Sequence, residues 1–211
     1  MKIDRLVFSP IEVNTYIIDD EKGNCAIIDC GCYSSEEFNE LKGFLMEREL
    51  KPVLLLNTHM HLDHIFGNAM MFSEYGLLTH ATAEEESNRQ AAKNHALMFG
   101  MKMDEPPLIG TLISPNQVIS FGDIKFKALF VPGHTSGSVA YYAEEHNVVF
   151  TGDALFNGSI GRSDLPGGNH ATLIESINNE LLSLKSETVV YPGHGNTTTI
   201  GFEKENNPYL N

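Results

Sequence analysis

A histidine-rich stretch directly after an apolar run constrains this chain more than any other part of its sequence. Residues 53–56 read VLLL, and residues 57–64 read NTHMHLDH. A short continuous apolar run is typical of a strand buried on both sides. Three histidines and an aspartate therefore fall where a strand gives way to a loop, which is where a rigid scaffold presents functional side chains. We interpret His59, His61, Asp63 and His64 as metal ligands.

Three more places repeat this design, with a histidine or an aspartate placed after a predicted strand. They are His134 in FVPGHTSGS, Asp153 in FTGDALF and His194 in YPGHG. If these side chains converge with the first four, a cation is needed, because unpaired buried carboxylates are costly. Imidazole and carboxylate suit zinc, iron or manganese. Seven ligands are too many for one four-coordinate ion, and they suit two divalent ions about 3.5–4 Å apart that share a hydroxide.

Several residues that resemble these have a simpler interpretation. His80, His95, His146 and His170 stand alone in the sequence, and we interpret them as surface or hydrogen-bonded core residues. Asp153 taken alone also suits a helix cap or a turn. The pair Cys30 and Cys32 matches no strong zinc pattern, so we expect one buried and one loop cysteine, with metal binding or redox chemistry as the alternative.

The remaining pattern predicts an α/β protein in which two mixed sheets have helices packed outside them. Short strands fill the first third of the chain. The predicted helices cover residues 34–50, 65–75, 82–100 and 171–184, and residues 101–115 are predicted to form a loop that shapes the pocket. The last clear strand is TVVYPGHG. We expect one domain over residues 1–211.

Composition excludes several classes of function. The net charge of −14 repels phosphate backbones and anionic bilayers, so we expect no nucleic-acid or membrane partner. No apolar run reaches the roughly 18 residues of a transmembrane helix, and the N-terminus does not resemble a signal peptide. Three cysteines without a paired framework indicate reduced thiols, so we expect a cytoplasmic protein. A small-molecule substrate remains, and the sequence makes no prediction about oligomeric state.

The motifs THMHLDH, PGHTSGS, TGDALF and YPGHG, in this order, resemble the metallo-β-lactamase superfamily. The resemblance implies an αββα sandwich with metals at one edge of the two sheets. It implies two divalent ions, zinc first and iron or manganese as alternatives. One ion would be bound by His59, His61 and His134, the other by Asp63, His64 and His194, and Asp153 would bridge them.

Within the superfamily the chain is most similar to the glyoxalase II group, which hydrolyses hydroxyacylglutathione thioesters. The resemblance implies a thioester hydrolase in which Asp63 and Asp153 are catalytic. β-Lactamases of the best-known class carry a cysteine where this chain has Asp153, which disfavours β-lactam hydrolysis. The segment after His194 is too short for the helical glutathione-binding domain of full-length glyoxalase II.

The loop LFNGSIGRSDLPGGN after Asp153 resembles that of short bacterial glyoxalase II-like proteins. It supplies the expected substrate contacts Phe156, Asn157 and Arg162. Arg162 suits a substrate carboxylate, and an ion pair with Asp164 is the structural alternative.

The same motifs also resemble persulfide dioxygenases. Residues 161–164 are similar to the GRTD loop of these enzymes, which use one iron. By resemblance His59, His134 and Asp153 would bind that iron. A lactonase or another ester hydrolase of the superfamily is a further alternative.

Overall fold

The computed structural model describes residues 1–210, which form two compact units. The first contains Met1–Ala81, Glu86–Leu112 and Phe121–Ile124. The second contains Thr82–Glu85, Ile113–Ser120 and the chain from Lys125 onward. Among residues 1–210, none of the helices combines the length and apolar character that a membrane span requires.

The sheet of the first unit has six strands that follow one another in chain order. They are β1 (Lys2–Phe8), β2 (Val13–Asp19), β3 (Asn24–Ile28), β4 (Lys51–Leu56), β5 (His80–Ala81) and β6 (Thr111–Leu112). The first three pair antiparallel, as short turns allow, whereas the pairs from β3 onward are parallel. Parallel pairs need long crossovers, and helices supply these here. The sheet is therefore mixed, as predicted.

Three helices belong to the first unit: α1 (Ser35–Glu47), α2 (Asn68–Tyr75) and α3 (Glu86–Met98). The Ser34 side chain caps α1 by accepting from the Glu37 amide, and Phe38, Leu41 and Leu45 of α1 are buried. Two predicted helix starts are wrong. The segment from Ile65 becomes helical only at Asn68, and residues 83–85 form a 3-10 turn before α3.

The second unit also has a mixed six-stranded sheet, in the order β14-β13-β10-β9-β8-β7. These strands are β7 (Val118–Phe121), β8 (Ile124–Phe130), β9 (Val139–Ala143), β10 (Val148–Gly152), β13 (Val189–Pro192) and β14 (Thr198–Thr199). A separate hairpin joins β11 (Leu155–Phe156) to β12 (Ser159–Ile160). The helices of the second unit are α4 (His170–Ser176), which a π-helical turn over Ile177–Leu181 continues, and α5 (Ile200–Asn206). Neither β14 nor α5 was predicted.

The ends of β4, β8, β10 and β13 are the positions that matter for function. In β4 the last three leucines are buried, but Val53 is 38% exposed, so the expectation of a run buried on both faces is wrong at its first residue. Burial of Leu54, Leu55 and Leu56 fixes the register of β4 and hence the point at which its loop leaves the sheet.

Candidate metal site

The histidine-rich loop leaves the end of β4 and is closed by a 3-10 turn over Leu62–His64. His59 and His64 are fully buried, Asp63 is 8% exposed and His61 is half-buried. The ring centroid of His59 lies 4.8 Å from that of His61 and 4.1 Å from that of His64. His64 Nε2 lies 3.6 Å from an oxygen of Asp63. The first unit thus brings together the four side chains predicted from this stretch.

Asp29, which follows β3, anchors the loop, and the sequence did not predict this role. Its carboxylate is 2% exposed and accepts from the Thr58 amide over 2.8 Å and from the Thr58 hydroxyl over 2.7 Å. The same carboxylate lies 2.9 Å from Nδ1 of His64. The φ of Asp29 is 55°, in the left-handed region that non-glycine residues rarely adopt. Such conformations persist only where the surroundings enforce them, and they cluster at functional sites.

These contacts assign the tautomers of two histidines. An ionised carboxylate only accepts hydrogen bonds, so Nδ1 of His64 carries the proton toward Asp29. The Thr58 hydroxyl donates its one proton to Asp29, so it accepts from Nδ1 of His59 over 3.1 Å. In both rings the lone pair is left on Nε2, the atom that would bind a metal.

The second unit brings the other three predicted residues together. His134 follows β8, Asp153 follows β10 and His194 follows β13. Nε2 of His134 lies 3.7 Å, and Nε2 of His194 3.6 Å, from the same oxygen of Asp153. Nδ1 of His134 donates to the carbonyl oxygen of Arg162 over 2.7 Å. A carbonyl only accepts, so His134 too presents its lone pair on Nε2.

Glycines make this arrangement of backbone possible. Gly133, before His134, has a φ of 128°, and a Cβ there would lie 2.3 Å from the amide nitrogen of Leu173. A Cβ on Gly161 would lie 1.8 Å from the carbonyl oxygen of Asp153. Any side chain at these two positions would therefore displace the loops that carry His134 and Asp153.

The donor set fits a divalent metal. The Nε2–carboxylate distances of 3.6–3.7 Å exceed a hydrogen bond, and lone pairs that face each other are stabilised by a cation between them. All seven predicted residues belong to candidate groups of three histidine and aspartate side chains that could hold a metal ion. Imidazole nitrogen and carboxylate oxygen are ligands of zinc and iron alike, so the chemistry of the set leaves the metal open.

Comparison with known proteins assigns the family. A family model described as the metallo-β-lactamase superfamily matches residues 9–194. The chain belongs to the metallo-β-lactamase superfamily. The resemblance of the motifs and the predicted fold are thereby confirmed.

Three relatives of this superfamily member bear on its activity. It is 34% identical to hydroxyacylglutathione hydrolase GloC of Haemophilus influenzae, over 100% of this chain and 99% of that protein. The crystal structure of BLEG-1 B3 metallo-β-lactamase has a TM-score of 0.91 and 31% identity, over 99% of each chain. TTHA1623 in a di-iron-bound form has a TM-score of 0.89 and 34% identity, over 98% of this chain and 100% of that one. The chain is a metallo-hydrolase of the superfamily.

A buried carboxylate also supports the His134 loop of this superfamily member. Glu85, in the 3-10 turn before α3, is fully buried. It accepts from the Thr135 hydroxyl over 2.5 Å and from the Gly137 amide over 3.0 Å. The Thr82 hydroxyl donates to the Gly137 carbonyl oxygen over 2.8 Å. Thr82 and Glu85 thus bind Thr135 and Gly137, which follow His134 some 50 positions later in the chain.

We expect Glu85→Ala to lower the free energy of unfolding by about 3 kcal/mol, because it leaves buried donors unsatisfied. Glu85→Gln keeps an oxygen acceptor of the same shape and should cost less than about half as much. Urea titration of both variants beside the wild-type protein measures the difference. Equal stability of the alanine variant and the wild type would show that this carboxylate does not support the loop.

Each of the three expected substrate residues also has a contact within the protein. Phe156 is half-buried, with its ring centroid 6.3 Å from that of His194 in an edge-on arrangement. The side-chain amide of Asn157 donates to the Thr197 carbonyl oxygen over 3.0 Å. This bond ties the loop after Asp153 to the segment after His194.

Buried Glu203 of α5 reinforces the same connection. It accepts from the Gly158 amide over 3.1 Å and from the Thr198 hydroxyl over 2.6 Å. The unpredicted last helix therefore holds the ends of the two loops that carry Asp153 and His194.

Arg162 forms the ion pair that was its structural alternative. Nε of Arg162 lies 2.8 Å from Oδ1 of Asp164, and Nη2 lies 2.8 Å from Oδ2. The hydrogen bond from Arg162 lowers the pKa of Asp164 to about 2. When an ion pair depresses the pKa of a carboxyl group, the pair is fully formed above the ordinary pKa of that group. It is lost only as the pH falls through the depressed pKa. The pair is therefore intact from about pH 4 upward.

The four histidines that were not predicted as ligands belong to other elements of the fold. His80 belongs to β5, and burial lowers its pKa, so it is neutral at pH 7. His95 lies in α3, His146 in a 3-10 turn and His170 at the start of α4. None of these four belongs to the candidate metal groups among the described residues.

The cysteines are free and buried. Sγ of Cys30 lies 3.9 Å from Sγ of Cys32. Both residues lie in the loop after β3 and are fully buried, so the expectation that only one of them is buried is wrong. The hydrogen bond with Cys30 and burial raise the pKa of Cys32, and burial raises that of Cys25 to about 12. The burial of all three thiols favours packing over reactivity, since reactive cysteines are partly exposed.

Proposed function

We propose that this protein is a binuclear metal-dependent thioester hydrolase that acts on a hydroxyacylglutathione or a similar thioester. The end-to-end identity of 34% with hydroxyacylglutathione hydrolase GloC carries the proposal. The presence of all seven motif residues supports it. The proposal takes residues 1–211 as one hydrolase domain and the substrate as a small molecule.

In this proposal His59, His61 and His134 hold one ion. Asp63, His64 and His194 would hold the second, and Asp153 would supply a carboxylate ligand to both. When bound, the ions supply a hydroxide nucleophile at neutral pH and polarise the substrate carbonyl. Zinc is the first choice of metal, and the di-iron form of TTHA1623 makes iron the main alternative.

The chain's own residues orient these groups. Asp29 fixes the His64 ring directly and the His59 ring through the Thr58 hydroxyl. The Arg162 carbonyl fixes the His134 ring. Asp63 orients the nucleophile through a carboxylate oxygen, so that attack on the thioester carbon breaks the carbon–sulfur bond and releases the thiolate.

Phe156, Asn157 and Arg162 are proposed to contact the substrate. Arg162 is 57% exposed at its side chain, and its partner Asp164 is 69% exposed. An exposed ion pair contributes little stability, so a substrate carboxylate can replace Asp164 at the guanidinium at low cost. The backbone carbonyl of Arg162 meanwhile continues to hold His134.

We expect Arg162→Ala to raise KM by about tenfold with kcat nearly unchanged, because it removes one charge contact and leaves the carbonyl in place. Asp164→Ala frees the guanidinium and should lower KM or leave it unchanged. Steady-state kinetics and metal content of both variants make the comparison. A fall in kcat with loss of metal in Arg162→Ala would assign the side chain to positioning the site instead.

Loss of thioester absorbance from S-D-lactoylglutathione tests the proposed reaction. Metal-replete protein should hydrolyse it, and chelator-treated protein should not until metal is restored. Metal-replete protein that leaves this thioester intact would refute the substrate class.

Two rival activities each have an observation in their favour. The similarity to BLEG-1 B3 metallo-β-lactamase favours β-lactam hydrolysis, despite the aspartate at position 153. The di-iron form of TTHA1623 makes iron chemistry relevant, and an iron-dependent persulfide dioxygenase would consume oxygen in the presence of glutathione persulfide. β-Lactam absorbance and oxygen uptake, measured on the same preparation, distinguish both from thioester hydrolysis.

A further inference from the structure

The first unit contains a cavity of about 570 Å³ that the proposed reaction does not use. It lies among the start of α1, α2, α3 and the segment after α3. Pockets of about 300–1,000 Å³ are the size that binds small organic molecules. The cavity is therefore large enough for a ligand of its own.

Part of the cavity wall is apolar. Phe66 and Met70 line it from the loop after His64 and from α2, and Leu97 and Met103 line it from α3 and the segment beyond. Leu97 is 62% exposed. An apolar ligand chain would cover these side chains and remove them from water, which is favourable by about 25 cal/mol per Å² buried.

The charged groups of the cavity are two lysines and one aspartate: Lys93 of α3, Lys102 and Asp104. Among the described residues, neither lysine forms an ion pair. The chain as a whole has 14 basic against 28 acidic residues, so a cavity wall with more lysine than acid departs from the overall charge. The wall carries a net charge of +1, which complements a ligand with a single negative charge.

The position of Lys102 at the cavity is fixed by its backbone. Its amide donates to the Tyr33 hydroxyl over 3.2 Å, and the Tyr33 ring packs edge-on to Phe66 with centroids 5.0 Å apart. Lys93 and Leu97 are four positions apart on α3 and so share one face of the helix. Positive charge and apolar surface therefore meet on the same wall.

We propose that this cavity binds a monocarboxylate with an apolar chain, with the carboxylate at Lys93 and Lys102 and the chain against Phe66, Met70, Leu97 and Met103. This inference does not depend on the proposed thioester reaction. It places part of the segment after α3 in the wall of this cavity, whereas residues 101–115 were expected to shape the substrate pocket.

Calorimetric titration of the metal-replete protein with octanoate tests the proposal, with octan-1-ol as the uncharged probe of the same chain length. The decisive variant is Lys93→Ala/Lys102→Ala. Lys51→Ala/Lys185→Ala is its matched control, since it removes two exposed lysines that form no ion pair among the described residues. Both double variants change the net charge by the same amount.

We expect octanoate to bind more tightly than octan-1-ol, and the decisive variant to weaken octanoate binding by about tenfold, the effect of two partly exposed charge contacts. The control should stay within about twofold of the wild type. Octanoate binding that is unchanged in Lys93→Ala/Lys102→Ala places the carboxylate elsewhere, for example on the metals, and overturns the proposal. Equal binding of octanoate and octan-1-ol, or no binding of octanoate, overturns it as well.

Discussion

Replacement of Asp63 by alanine is expected to remove at least one metal ion per chain and to lower kcat/KM by about 1000-fold or more. The carboxylate is 8% exposed and lies 3.6 Å from His64 Nε2, so its loss removes one ligand and the negative charge that faces a second. A metal that supplies both nucleophile and charge stabilisation accounts for several kcal/mol of the barrier, and each 1.36 kcal/mol is a factor of ten. Elemental analysis and steady-state hydrolysis measure the two effects.

Asp123→Ala is the control for this prediction. Asp123 is 86% exposed at its side chain and pairs with Lys22 at the surface. It precedes the start of β8, whereas His134 follows the end of that strand. Its variant should keep the metal content and the activity of the wild type. Full activity of Asp63→Ala, with or without bound metal, would show that Asp63 has no role in catalysis.

Replacement of Asp29 by asparagine is expected to weaken metal binding by about 10–100-fold, the range measured when groups that orient metal ligands are changed. An asparagine has one acceptor oxygen where the aspartate has two. The Thr58 amide and hydroxyl and Nδ1 of His64 then have fewer acceptors, and the His64 ring loses the negative charge that holds its tautomer. We also expect the free energy of unfolding to fall by about 2–3 kcal/mol, since these donors are buried.

Asp19→Asn is the matched change at the end of a neighbouring strand. The Asp19 carboxylate accepts from the Glu21 amide in the turn after β2. Asp19 pairs with Cys25 near the start of β3, whereas Asp29 follows the end of β3. Its variant should bind metal as the wild type does. Chelator competition measures affinity, and urea titration measures stability. If Asp29→Asn bound metal with wild-type affinity, the carboxylate would serve folding alone.

The sequence allowed the seven candidate ligands to be chosen because each lies in a short motif at a strand end. His59, His61, Asp63 and His64 needed only the local pattern after β4. Their supporting residues were not predictable in this way. Asp29 and His64 are 35 positions apart, and Glu85 and Thr135 are 50 positions apart. Neither Asp29 nor Glu85 lies in a motif, so only the fold reveals its partner.

The errors in secondary structure also have local causes. Residues 65–67 were expected to begin α2, but the Gly67 amide donates to the Cys30 carbonyl oxygen over 2.8 Å, and a Cβ on Gly67 would lie 2.4 Å from the Cys30 sulfur. This close tertiary contact delays the start of α2. Helix α5 is short, and its apolar side chains, Ile200 and Phe202, do not have helical spacing. It is stabilised by the Thr199 cap and by the buried contacts of Glu203.

The substrate residues were the least predictable part of the site. Asn157 and Arg162 stand in a loop whose sequence does not distinguish a ligand contact from a contact within the protein. The structure supplies the latter for both, through Thr197 and Asp164. Their role in substrate binding is therefore a proposal that kinetics must test.

The central claim is that His59, His61, Asp63, His64, His134, Asp153 and His194 hold two metal ions. The most direct test is the number of metal equivalents per chain, measured by elemental analysis after incubation with zinc or iron and removal of the excess. The account predicts two equivalents in the wild-type protein and a loss of at least one in His61→Ala and in His194→Ala. A wild-type protein that retains no metal, or variants that retain the full two equivalents, would contradict it.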